Sequence, residues 1–215
     1  MFITIDGGDG CGKSTQIGIL AKHLTSLGRE VVVCRDPGST DLGVAIRSLL
    51  LNQGELNPCP ESELFLFMAA RAQMVDRIIA PALAEGSIVL ADRFLLSSLV
   101  YQGFAGGIAP ETILQMGKIA ARGILPDLTI VLDISTSAAF ARLRRPLDRI
   151  ESKGREFHEK IRSGFIQGAN FWIQQTGRDT FVLDSSLPLK DVSKKIAAEV
   201  LRRLRRLSPN INRSI

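Results

Sequence analysis

Cysteine is scarce in this sequence. Its three copies, Cys11, Cys34 and Cys59, are odd in number and never fall in a C-x-x-C spacing. That excludes a disulfide framework, argues against a zinc site and suits a reducing compartment. Long apolar runs are also missing, since no stretch reaches the roughly 18–20 residues of a membrane span. The amino terminus runs directly into the strand-like MFITID, with neither a basic region nor an apolar stretch of signal type. No secretory signal is therefore expected, and the expected location is cytoplasmic. Internal repeats and low-complexity segments are absent.

What is present builds a core. Hydrophobic residues make up 45% of the 215 positions and charged residues 23%, so a packed core is expected over 1–208 as one domain, with 209–215 as a mobile tail. The net charge of +5 admits nucleic acid, a membrane surface or phosphorylated substrates as partners, and only motifs can choose among them. Short apolar runs predict strands over 2–6, 30–34, 87–91, 128–133 and 180–183. Helical spacing covers 13–27, 42–51, 61–85 with a bend near Pro81, 95–100, 110–122, 138–144, 157–175 and 192–207. Strands alternating with helices, several of them apolar at every position, call for an α/β fold. Its five-stranded parallel sheet would carry helices on both faces, a three-layer sandwich. In such folds ligands bind beyond the carboxyl ends of the strands.

Gly7-Gly8-Asp9-Gly10-Cys11-Gly12-Lys13-Ser14 fits G-x-x-x-x-G-K-[ST], follows a strand and opens a helix, as a P-loop should. Its glycines let backbone N–H groups converge on phosphate oxygens, and the helix start favours anions. Lys13 would neutralise the β- and γ-phosphates of ATP, the Ser14 hydroxyl would ligate Mg²⁺, and Thr15 completes the cradle. A guanine-selecting N-K-x-D is missing, and no D-x-x-G occurs outside the P-loop, which weakens a GTPase reading.

Further charge stands at two other strand ends. Asp92-Arg93 follows the third strand, and Arg35-Asp36-Pro37-Gly38-Ser39-Thr40 the second. Asp92 could hold Mg²⁺ directly or through water, and an Arg can grip a second phosphate bidentately. Either Arg alone could equally be a surface ion pair. Arg142, Arg144, Arg145, Arg149 and Arg155 crowd a segment at about 142–155 that also carries Pro146 and Gly154. It is either a solvated face or a lid that brings arginines onto a transferring phosphate.

Together with Phe67-Met68-Ala69-Ala70-Arg71, Ser97-Ser98, Tyr101-Gln102-Gly103, Pro126-Asp127-Leu128-Thr129, Leu132-Asp133 and Leu147-Asp148-Arg149-Ile150-Glu151, these blocks resemble bacterial thymidylate kinases. They fall in that family's order from residue 1 to about 190. The resemblance implies a P-loop nucleoside monophosphate kinase that uses MgATP to convert dTMP into dTDP. It implies a homodimer; no nucleic-acid or membrane partner is expected. Asp9 would take the acceptor 3′-hydroxyl, Phe67 would stack on thymine, and Arg71 would bond the base. Arg35 and Arg93 would grip the acceptor phosphate. Tyr101 would disfavour a ribose, and Ser98 and Gln102 would lie near the base edge. Some members of the family carry a catalytic Arg in the P-loop. Gly10 stands at that place here, so the lid must supply it, through Arg142 or Arg144, with Arg149 as a third candidate.

Two positions depart from the family pattern: Ser39 stands where a second Gly is usual, and Phe94 where Tyr or His is common. Neither removes a charge. A kinase for another monophosphate and a non-enzymatic nucleotide-binding module remain as alternatives. The basic Arg202, Arg203, Arg205 and Arg206 cluster reads as a solvated helix face.

Overall fold

Phe2–Gly7 is apolar or small at nearly every position and is buried along its whole length, forming the central strand β1. The computed structural model describes residues 1–52, 56–143 and 146–207. The other strands are β2 (Val31–Arg35), β3 (Ile88–Asp92), β4 (Leu128–Asp133) and β5 (Asp179–Asp184). All pair in parallel, in the order β2-β3-β1-β4-β5. The five expected strands are thus found, each within about a residue of its expected bounds, where pairing rather than apolarity sets the ends.

Alternation along β1 and β4 feeds two cores. Ile3, Ile5, Ile130 and Leu132 point to the face covered by α1 (Lys13–Ser26) and α9 (Leu189–Leu207), where they meet Ile17, Leu20, Leu24, Ile196 and Val200. Phe2 and Val131 point to the opposite face. There they pack with residues of α3 (Pro60–Met74), α5 (Leu95–Ser98), α6 (Pro110–Ala120) and α8 (Arg155–Thr176). α2 (Asp41–Leu51) lies on α3 through Ile46, Leu50 and Ala70. Thr40 caps α2, its side chain accepting from the Gly43 N–H at 3.0 Å. A short α7 (Thr136–Arg142) follows β4.

Two departures from the expected helices position the site. The helix expected over 61–85 starts at Pro60 and passes through a π-helical turn, Val75–Ile79, into α4 (Ala80–Ala84). Pro81 cannot donate to the carbonyl four residues back, and its ring crowds that carbonyl. The chain answers with a wider turn, in which Ala80 N–H bonds the Val75 carbonyl. The segment expected to end at Val100 instead continues from α5 as a π turn, Leu99–Phe104, which carries Tyr101 and Gln102. Helix α8 makes room for it with glycines one turn apart. A Cβ on Gly164 would lie 3.0 Å from Val100, and one on Gly168 3.3 Å from the same side chain. Arg144 and the tail at 209–215 lie outside the described residues.

Candidate functional site

Every group expected at the cradle sits at the carboxyl end of β1 or the start of α1. Gly12 enters the helix in the left-handed region, at φ +96°. Gly10 has φ +77°, and a Cβ there would stand 2.2 Å from the Ala139 carbonyl oxygen of α7. The P-loop therefore closes against α7 only because position 10 has no side chain. Lys13 is buried and spans the loop, donating from Nζ to the Gly8 and Gly7 carbonyls at 2.7 and 3.1 Å. These are bonds that an incoming phosphate can replace. Ser14 Oγ donates to Asp92 Oδ2 at 2.7 Å, so strand ends β1 and β3 converge.

Arg93 is held in a conformation unusual for its type, at φ +71°. Asp6 organises the turn, its Oδ1 accepting from Ser97 Oγ at 2.6 Å and from the Phe94 N–H at 3.4 Å. The guanidinium then donates to the Gly7 carbonyl at 2.9 Å, to Tyr101 Oη at 3.2 Å, and to Asp9 Oδ1. Tyr101 Oη donates to the other Asp9 oxygen at 3.0 Å. Burial pushes the Asp9 carboxyl up, but Arg93, Lys13 and the Tyr101 hydrogen bond outweigh it and hold the group well below the usual carboxylate range. Burial also opposes the Arg93 charge. Asp9 more than compensates, and the guanidinium stays protonated.

Arg71, four residues after Phe67 on α3, is 1% exposed and points inward. Its Nε donates to Asp36 Oδ2 at 2.6 Å and its Nη2 to Ser98 Oγ at 2.8 Å. Its guanidinium also lies 5.3 Å over the Phe94 ring, a cation–π contact. Burial pushes the Asp36 carboxyl up, against the pull of Arg71. Ser39 accepts from the Arg35 N–H at 2.6 Å and so closes the turn after β2. The two departures from the family pattern thus have structural work: Ser39 fixes the Arg35 turn, and Phe94 floors Arg71.

Two cavities open at the carboxyl edge of the sheet. The larger, about 540 Å³, is lined by residues 9–16 of the P-loop and the start of α1, together with Arg142, Ser185, Leu187 and Val192. The smaller, about 70 Å³, is lined by all eight expected acceptor residues: Asp9, Arg35, Phe67, Arg71, Arg93, Ser98, Tyr101 and Gln102. Asp9, Arg35, Arg93 and Glu151 line both, so the cavities meet tip to tip. Arg142 reaches the larger cavity and donates to the Ser185 carbonyl at 3.1 Å. Arg149 lines neither cavity; it donates from Nε to the Leu50 carbonyl at 2.8 Å and pairs with Glu63. Its side chain is drawn away by the carbonyls at the end of α2, which favour a cation.

Several lining groups escaped the sequence reading. Arg47 of α2 lines the smaller cavity and donates to the Pro37 carbonyl at 3.1 Å. Burial lowers its pKa, and the neighbouring Arg35 and Arg93 charges lower it further. No motif flagged Arg47. Ser185 and Leu187 follow β5, a strand end that the carboxyl-edge rule could have pointed to.

The family model described as thymidylate kinase matches residues 5–196. The thymidylate kinase of Rhodopirellula baltica is 41% identical over 197 residues, covering 92% of this chain and 78% of that protein. The thymidylate kinase of Dehalococcoides mccartyi is 41% identical over 202 residues, covering 93% of this chain and 95% of that protein. The crystal structure of thymidylate kinase from Ehrlichia chaffeensis superimposes with a TM-score of 0.71 at 30% identity, over 95% of this chain and 98% of that one.

Proposed function

We infer the reaction from a plain premise: the chain belongs to the thymidylate kinase family. It is a nucleoside monophosphate kinase, and we propose that it moves the γ-phosphoryl group of MgATP onto dTMP, giving dTDP and ADP. The observation that carries this reading is the meeting of two cavities at Asp9, Arg35 and Arg93. A donor in the larger and an acceptor in the smaller would bring their phosphates together among Lys13, Arg35 and Arg93. Phosphoryl transfer needs this arrangement, alignment plus neutralised charge, and little covalent chemistry from the protein. The acceptor oxygen is already anionic near neutral pH, so no strong base is required.

The residues present fit a magnesium ion. Asp92 Oδ1 is a buried carboxylate oxygen with no hydrogen-bond partner among the described residues, beside the Ser14 hydroxyl. Among the described residues no group of three or more His, Cys, Asp or Glu side chains could form an all-protein cage. Mg²⁺ favours the first kind of site, one or two protein oxygens completed by substrate phosphates and water. Ser14 and Asp92 would hold it, and when bound it would supply positive charge against the β- and γ-phosphates. Lys13 would bridge from the P-loop to the same phosphates, and Arg142 or Arg144 of the lid would stand in for the P-loop Arg whose place Gly10 takes.

At the acceptor end, Phe67 and Arg71 read the base by stacking and hydrogen bonding, with Ser98 and Gln102 at its edge. Tyr101 packs against the sugar where a ribose hydroxyl would fall, and Asp9 accepts from the 3′-hydroxyl. We also propose a homodimer in the cytoplasm, on family resemblance. No helix among the described residues is long and apolar enough to cross a membrane.

The test is ADP release with MgATP and a panel of dTMP, dUMP, UMP, CMP and AMP. Fast release with dTMP and little with ribonucleotides is the expected outcome. Preference for another monophosphate would keep the kinase and remove the thymine pocket. No acceptor-dependent release would overturn the reaction.

A further inference from the structure

We propose that Glu63 is a positioning residue that ties acceptor recognition to docking of the lid, an inference that rests on the dTMP kinase reading. Glu63 stands in the first turn of α3, and its side chain is 9% exposed. One carboxylate oxygen, Oε1, accepts from Gln102 Nε2 at 2.8 Å. The other, Oε2, accepts from Arg149 Nη2. Gln102 is a wall of the acceptor cavity, and Asp148, Ile150 and Glu151, on either side of Arg149, are its roof. A single buried carboxylate thus holds wall and roof from behind, without lining the cavity itself.

The roof docks through Arg149. Its backbone N–H donates to the Leu51 carbonyl at 3.1 Å and its Nε to the Leu50 carbonyl at 2.8 Å. Both carbonyls belong to the last turn of α2, where unpaired acceptors and the helix dipole favour a cation. Asp148 makes the neighbouring turn rigid, its Oδ1 accepting from the Ile150 and Glu151 N–H groups at 2.9 and 2.8 Å. Arg149 is therefore the anchor of a stiff turn, and Glu63 is the charged half of its socket.

The cavity below is about 70 Å³, far short of the roughly 300–1,000 Å³ of sites that take small molecules. An acceptor needs more room than this, and the roof at 148–151 is a wall that can yield it, with the Arg149–Glu63 pair re-forming above the bound ligand. Gln102 makes that step responsive to the ligand. A base edge that engages Gln102 fixes the amide, the amide fixes the carboxylate, and the carboxylate presents the geometry Arg149 needs. Because coupling is reciprocal, a docked roof in turn favours the bound acceptor. A purely structural ion pair would add little net stability, and it would give no reason for the second carboxylate oxygen to hold a cavity wall.

Glu63→Gln separates the two oxygens. Its amide oxygen can still accept from Gln102, but its amide nitrogen cannot accept from Arg149. The expected result is KM for dTMP raised about tenfold, with kcat and KM for ATP each within about threefold of the parent, a loss of acceptor binding alone. Arg149→Gln should also raise KM for dTMP, and the double variant should be no worse than the worse single one, since both remove the Arg149–Glu63 pair. Fold-losses that multiply in the double variant, or an unchanged KM for dTMP, would overturn the proposal. So would an Arg149→Gln enzyme that loses kcat more than about a hundredfold at unchanged KM, because Arg149 would then act on the transferring phosphate. Hydrogen exchange reads the dock without any substrate: the Arg149 amide should exchange faster in Glu63→Gln than in the parent, and equal rates would overturn the proposal. Failure of the parent to phosphorylate dTMP would instead overturn the reaction and leave the exchange result standing. If Glu63→Gln does not fold, Arg149→Gln carries the same kinetic test and Glu63→Asp the exchange test.

Discussion

At the scale of single residues, the site is a set of charges held in place by one another. Lys13 and Arg93 donate to P-loop carbonyls, and Asp9 balances both. Replacing Lys13 with Met should lower kcat by at least about a hundredfold while protein stability changes little, because the bonds lost are those a phosphate would replace; steady-state kinetics beside thermal melts would check it. Asp36 is different. It is 3% exposed and its partner Arg71 1%, so Asp36→Ala strands a buried guanidinium. That should cost about 3–5 kcal/mol in urea unfolding, as breaking a buried pair does. The expectation for Arg71 came from the family resemblance, and no motif pointed to its counter-ion. Asp36 lies 35 positions earlier, and the contact exists only because α3 packs across the end of β2. Arg149 shows the opposite failure: its neighbours in the chain mark the right turn, yet sequence cannot say that the side chain points back to Glu63 and away from the phosphates.

At the scale of elements, strands were legible because β1, β3 and β4 are buried along nearly all of their length and apolar enough to show it. The π turns were not, because one widened turn inside a helix has no composition or turn signal of its own; Pro81 hinted at one of them. The cradle depends on α7 as much as on its own loop. Gly10→Ala should therefore force α7 from the P-loop, lowering both the melting temperature and ATP affinity. A melt and a nucleotide titration together would show it, whereas loss of ATP binding without a lower melting temperature would mean that α7 had simply shifted. Helix α9 is fastened to the sheet edge by Arg203, which bonds Asp179 of β5 and Glu199 one turn back. The Arg202 hydrogen bond, opposed by burial and aided by Arg203, pulls Glu199 down from 4.5 to about 2. A depressed acid contributes stability that is complete above its unfolded value and is lost as pH falls through its folded one. The loss attributable to Glu199 should lie between about pH 4.5 and about 2, and Glu199→Gln should shallow the acid arm of stability in that window. Melts across that range would detect it; parallel acid arms in the two proteins would refute it.

At the scale of the whole molecule, the parallel sheet and its ligand edge were legible, but the strand order was not. Uniformly apolar strands do not announce which of them is central. Burial makes the order intelligible afterwards, since β2 and β5, the most exposed strands, are the edges. The two cavities were legible as two sets of residues but not as one shared boundary, because that requires knowing that β1 and β3 are neighbours. Both ligands would bind across elements far apart in the chain, so each should stabilise the whole. At a hundred times its dissociation constant, dTMP should add about 2.7 kcal/mol, or roughly 5–10 °C for a domain of this size. A dTMP-dependent melt that moved less than a degree at that excess would contradict an acceptor site closed by the fold.

The central place of β1 also has a consequence for how the chain comes into being. The strand that carries the P-loop is made first, yet its two hydrogen-bonding edges are taken by β3 and β4, at 88–92 and 128–133. During synthesis at about 5–20 residues per second, the finished β1 waits on the order of ten seconds for its partners. Through that interval an apolar segment with both edges open is available to any other chain. The nucleotide cradle cannot take shape until β3 and β4 have left the ribosome, so ATP cannot guide the early collapse and can only reward its completion.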